Sequence, residues 1–228
     1  MEETLRLVSL TDGFVFDALH VRHAEARRGG LVLIQEIFGV NDNIRDIARR
    51  FAADGYEVIA PSLFDRRERD FVGGYEPEAI ARGRALSEAT PWHEVQGDLA
   101  ACVEALAPPV FVLGYCWGGT AAWLAAARIK GIAAAASYYG RRIPELIDEA
   151  PRCPILLHFG KTDPSIPPET VALVRERYPD LAVHEYAAGH GFESDRRADF
   201  NAEAANLSRL RTLALFHRNS GGRNDSPD

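Results

Sequence analysis

The arrangement that most constrains the fold of this 228-residue chain is a set of short apolar runs separated by amphipathic stretches. Leu31-Val32-Leu33-Ile34 and Val110-Phe111-Val112-Leu113 contain no polar residue, and Ile155-Leu156-Leu157-His158-Phe159 is of the same kind. Runs this short without polar alternation are strands covered on both faces. Between them the apolar residues fall at helical spacing, as in Ile44, Ile47, Ala48 and Phe51, or Val95, Leu99, Cys102, Val103 and Leu106. Strands alternating with helices along a whole chain specify a doubly wound, mostly parallel sheet with helices on its faces.

The remaining elements fit that frame. Residues 5–10 and 14–21 flank Asp12-Gly13 and read as a β-hairpin, an antiparallel edge on the larger sheet. Asp42 or Asn43 is placed to cap the helix containing Ile44, and Gly55 to end it. Further strands are expected at 56–60, 132–138 and 182–186, and helices at 76–86, 91–106, 120–128, 170–178 and 202–217, with a short helical insertion at 143–149. Residues 62–76, rich in charge, read as a loop over the sheet's C-terminal edge, either solvated or part of a substrate lid. No repeat or linker divides the chain. One domain over residues 1–218 is expected, with a disordered Gly, Ser, Asn and Asp-rich tail at 219–228.

Composition narrows the function. The net charge is −7, and only Lys130 and Lys161 are lysines, so nucleic acid is a poor partner. Three cysteines, Cys102, Cys116 and Cys153, argue against a disulfide framework. The acidic first residues lack the order of a signal peptide, and no run reaches the ~18 apolar residues of a membrane span. A cytoplasmic protein is expected, a monomer or small homo-oligomer, with no membrane partner. His20 and His23 lack the three or four converging ligands that a metal site needs and are expected at the surface, so no metal site is expected. Cys102 lies on a buried helical stripe and reads as an inert core residue.

The chemistry centres on Gly114-Tyr115-Cys116-Trp117-Gly118-Gly119, between the 110–113 strand and an alanine-rich helix. Strand, tight turn and helix around Gly-x-Cys-x-Gly form a nucleophile elbow with cysteine in place of serine. Read alone, the turn also suits a buried structural cysteine. In a doubly wound sheet, active residues gather beyond the C-terminal ends of strands. Glu36, Cys116, Asp163 and His190 each follow a strand, and Cys–Asp–His is the nucleophile–acid–histidine order of α/β hydrolases. His190 would take the Cys116 proton, and Asp163 would fix the His190 tautomer. Asp195 and Asp199 are rivals for the acid but follow His190. Backbone N–H groups of Trp117 and Ile37 are placed to hold an oxyanion.

Gln35-Glu36-Ile37-Phe38-Gly39-Val40-Asn41, the Gly114–Gly119 elbow, the Asp163 loop and Gly189-His190-Gly191-Phe192, in this order, resemble the dienelactone hydrolase (carboxymethylenebutenolidase) family over roughly residues 5–217. The resemblance implies an α/β-hydrolase fold, a Cys-His-Asp triad, no cofactor, and a small ester or lactone substrate opened through an acyl-enzyme. It also implies that Glu36 contacts the resting thiol until substrate displaces it, a role consistent with like-charge repulsion. Two family arginines bind the substrate carboxylate. One sits four residues after the histidine, where this chain has Ser194, with Arg196 and Arg197 close by; the other lies before the elbow, where Arg82 and Arg84 are available. The alternative function is a non-hydrolytic redox-sensing thiol protein on the same scaffold.

Overall fold

The computed structural model describes residues 2–24 and 26–221. Eight strands form one sheet in the order β1-β2-β4-β3-β5-β6-β7-β8. They are β1 (Glu2–Val8), β2 (Val15–Val21), β3 (Gly29–Ile34), β4 (Tyr56–Pro61), β5 (Val110–Tyr115), β6 (Ile132–Tyr138), β7 (Ile155–Gly160) and β8 (Ala182–Tyr186). β1 pairs antiparallel with β2, and β2 antiparallel with β4. Every pairing from β4 through β3 to β8 is parallel. The antiparallel hairpin and parallel body are those expected from sequence. The three apolar runs lie in β3, β5 and β7, all buried.

Six helices complete the described chain: α1 (Asp42–Ala53), α2 (Pro77–Ala89), α3 (Trp92–Glu104), α4 (Trp117–Arg128), α5 (Pro168–Arg177) and α6 (Ala202–Arg218), with a 3₁₀ turn at Ile143–Leu146. α1 and α6 meet over Tyr56, which takes both Phe51 and Phe216 edge-on. α4 supplies a row of buried alanines, Ala121, Ala122, Ala125 and Ala126, which lets it lie close to β5 and β6. No helix of the described residues is long and apolar enough to cross a membrane.

Several local expectations change. Asn41, not Asp42 or Asn43, caps α1, its side chain accepting from the Ile44 N–H. α4 begins at Trp117 rather than at residue 120, because the turn after β5 consumes only Cys116. His20 is buried, with Nδ1 2.9 Å from Glu3 and Nε2 3.0 Å from Glu57, since pairing of β1, β2 and β4 brings those distant carboxylates beside it. The 62–76 segment is not freely solvated, and none of its residues lines the cavity described below. Arg66 reaches back to Asp12 at 2.7 Å and to the buried Asp98 of α3 at 2.5 Å, and its guanidinium covers the Phe14 ring. Asn219 and Ser220, placed in the tail by sequence, hydrogen bond to the end of α6; residues 222–228 of that tail lie outside the described residues.

Candidate active site

Cys116 sits at φ 56°, ψ −116°, a left-handed conformation that a side-chain-bearing residue adopts only when its surroundings hold it there. Its N–H donates to the Tyr138 carbonyl at 2.9 Å, and its own carbonyl accepts from the Gly119 N–H at 2.9 Å. The turn closes because its neighbours lack side chains. A Cβ on Gly114 would lie 1.9 Å from the Gly118 carbonyl oxygen, and one on Gly118 would lie 2.3 Å from the Gln35 carbonyl oxygen. The second contact brings the loop after β3 against the elbow.

Two further segments converge on this turn. His190, in the loop after β8, places Nε2 3.1 Å from the Cys116 Sγ. Its Nδ1 lies 2.6 Å from Oδ2 of Asp163, in the loop after β7. The Asp163 side chain is completely buried and that of His190 nearly so. Asp195 turns outward to Arg50 at 3.6 Å. Asp199 borders the same cavity, but the His190 contact belongs to Asp163.

The electrostatics follow from burial and these partners. Burial works against charge on His190, but the Cys116 sulfur and the Asp163 carboxylate outweigh it and push its pKa up to about 10. Burial likewise works to raise Asp163, yet the hydrogen bonds from His190 and Ser165 hold it below its ordinary value. Cys102 is different: enclosed in the core, it is pushed well above the ordinary thiol range by burial and by Asp98.

Cys116 and His190 open into a cavity of about 680 Å³. Ile37 and Trp117 line it, and among the described residues no turn, loop or cap hydrogen bond uses the backbone N–H of either. Trp117 is the first residue of α4, so its N–H has no acceptor within the helix. Its ring belongs to an aromatic wall, stacked on Trp92 at 5.7 Å and tilted against Phe64 at 5.1 Å.

The other expected residues divide. Arg84 and Arg197 line the cavity. Arg82 instead ion-pairs with Glu68, and Arg196 with Asp46, both away from it, because each has a surface carboxylate within reach. Glu36 is buried, and among the described residues no hydrogen bond joins it to the thiol. Arg197 takes its Oε1 at 3.4 Å, Oε2 has no partner, and the sulfur faces His190. Burial raises the Glu36 pKa, opposed by Arg197 and His190.

Sequence reasoning passed over Arg141 and Arg142, which line the cavity just after β6, and Tyr139, whose ring lies 4.9 Å from that of His190. The rule of looking past strand ends would have found them at β6. It also passed over Ser165, whose Asp-x-Ser spacing is an Asx-turn signal.

Comparison with known proteins agrees with this geometry. Residues 16–220 match the Dienelactone hydrolase family. A carboxymethylenebutenolidase of Pseudomonas sp. is 30% identical over 232 residues, spanning 92% of this chain and 96% of its own. A carboxymethylenebutenolidase-like protein of Synechocystis is 34% identical over 208 residues, spanning 82% of this chain and 84% of its own. Among solved structures, a dienelactone hydrolase-like protein of Klebsiella pneumoniae superposes with a TM-score of 0.79 at 28% identity, covering 94% of this chain and 98% of that one. With the eight-stranded sheet, the elbow and these relatives in agreement, the chain belongs to the dienelactone hydrolase family, as an α/β hydrolase acting on carboxylic ester bonds.

Proposed function

We propose that this protein hydrolyses small lactones or carboxylic esters through an acyl-enzyme on Cys116. The observation that carries the reading is the unbroken relay of Cys116 Sγ to His190 Nε2 at 3.1 Å and His190 Nδ1 to Asp163 at 2.6 Å, opening into the cavity. The Sγ proton passes to His190 Nε2, and sulfur attacks the carbonyl carbon. The carbonyl electron pair moves to oxygen, which accepts hydrogen bonds from the N–H groups of Trp117 and Ile37. Collapse re-forms C=O, breaks the C–O ester bond, and the leaving alkoxide takes the His190 proton. For a lactone that alcohol stays tethered to the acyl group. Water then gives its proton to His190 and attacks the thioester, and the departing sulfur recovers the proton. Asp163 remains ionised throughout and keeps the Nδ1–H donor in place.

Arg84, and Arg197 held by Glu36, border the cavity and suit a substrate carrying an anionic group. The Asp163–His190 relay is what hydrolysis requires and a redox-sensing thiol does not. The test is Cys116→Ala, assayed on an activated ester and on a panel of lactones with and without a free carboxylate. Loss of about a thousandfold or more in kcat/KM is expected. A variant hydrolysing at the parent rate would sink the mechanism.

A further inference from the structure

Asp163 receives more hydrogen bonds than a nucleophile–histidine–acid relay requires. Its Oδ2 takes His190 Nδ1 at 2.6 Å. Its Oδ1 takes two donors from one residue, the Ser165 backbone N–H at 2.8 Å and the Ser165 hydroxyl at 2.6 Å. The same hydroxyl oxygen lies 3.1 Å from His190 Nδ1. Ser165 therefore bridges acid and base at the cavity wall, on the solvent side of a carboxylate whose side chain is itself fully buried.

Counting protons fixes the direction of these bonds. A hydroxyl has one proton and two lone pairs. An ionised carboxylate only accepts, so at 2.6 Å the Ser165 proton goes to Asp163 Oδ1. The hydroxyl then faces His190 with a lone pair. His190 Nδ1 must donate, to Asp163 Oδ2 first and to Ser165 Oγ second. With Nδ1 committed as donor, neutral His190 has its free lone pair on Nε2, facing Cys116 Sγ. Had the hydroxyl donated to Nδ1, the proton would sit on Nε2 and the ring could not accept from sulfur. We propose that Ser165 is a positioning residue of this site. It holds the Asp163 carboxylate toward the imidazole, supports the His190 tautomer that Asp163 fixes and shields the Asp163–His190 bond from cavity water.

The inference rests on the relay reading above, and the experiment separates the two. Ser165→Ala removes the hydroxyl while leaving the backbone N–H donor. Ser165→Thr keeps the hydroxyl, and its extra methyl is tolerable because the residue is exposed. Ser165→Ala is expected to lower kcat roughly tenfold to a hundredfold with KM little changed, the scale of one hydrogen bond to a charged group. The acid limb of its pH–rate profile should shift, and the downfield proton resonance of His190 Nδ1–H should move upfield and exchange faster with water. Ser165→Thr should restore both the rate and the resonance. Parent-like kcat, pH profile and resonance in Ser165→Ala would overturn the proposal, as would equal losses in the Ala and Thr variants. If Cys116→Ala keeps the parent rate, the hydrolytic reading fails, and the His190 resonance still decides the Ser165 role.

Discussion

At the scale of single residues, position after a strand end carries most of the information. Cys116, Asp163 and His190 were legible because each follows a strand and their order is fixed by the topology. Their side chains lie within 3.1 Å of one another in sequence along the relay. The arginines were not legible, for a geometric reason. Arg82 and Arg84 stand two residues apart on α2, about 200° around the helix axis. One meets Glu68 and the other the cavity, and only the helix's rotation decides which. Glu36 was found, but its partner was not, because Arg197 lies 161 residues away in sequence. The relay makes a titration prediction. Once His190 has drawn the Cys116 proton, the sulfur and Asp163 hold that proton on the ring, raising the pKa of His190 to about 10. Cys116→Ala removes the leading upward cause, so the midpoint must fall. The imidazole resonances of His190 followed by NMR across pH check it, and an unchanged midpoint would contradict the coupling between sulfur and ring.

Among elements, periodicity located the strands and helices, and polar contacts between distant segments accounted for the misreadings. His20 was misplaced because Glu3 and Glu57, its neighbours across β1 and β4, are remote in sequence. The 62–76 segment was misread for the same reason. Its charges find partners on the hairpin and α3, and composition says nothing of partners. Arg66 ties these three pieces together with only 5% of its side chain exposed, against 1% for Asp98. Removing one member of such a pair strands the other in the interior. Arg66→Met should therefore cost about 3 kcal/mol of unfolding free energy in urea, and adding Asp98→Asn should recover part of it. A single variant as stable as the parent would show that Asp98 finds water or a proton without difficulty.

For the molecule as a whole, stability should depend on pH through groups the fold buries. Glu193 follows the histidine loop, is buried with Oε2 unpartnered, and burial pushes its carboxyl from 4.5 up to about 8. The folded state therefore holds this proton where the unfolded chain has released it. Its contribution is full below pH 4.5 and is lost as pH rises through about 8. Asp163, held below its ordinary value, acts in the opposite sense: its contribution is present at neutral pH and is lost in acid. Glu193→Gln keeps the shape without the ionisation. It should exceed the parent in stability by on the order of 3 kcal/mol above pH 8 and match it near pH 5, as read by denaturation at both pH values. Parallel curves for the two proteins would remove Glu193 as the cause.

The long separations within the relay also bear on how the protein comes off the ribosome. Cys116 and His190 touch across 74 residues, with His190 synthesised last. At about 5–20 residues per second, the cysteine is made roughly 4–15 s before its base. A nascent chain halted anywhere in that interval carries the thiol but lacks the group that would draw its proton. On the proposed mechanism, hydrolytic competence is thus deferred until translation has passed β8.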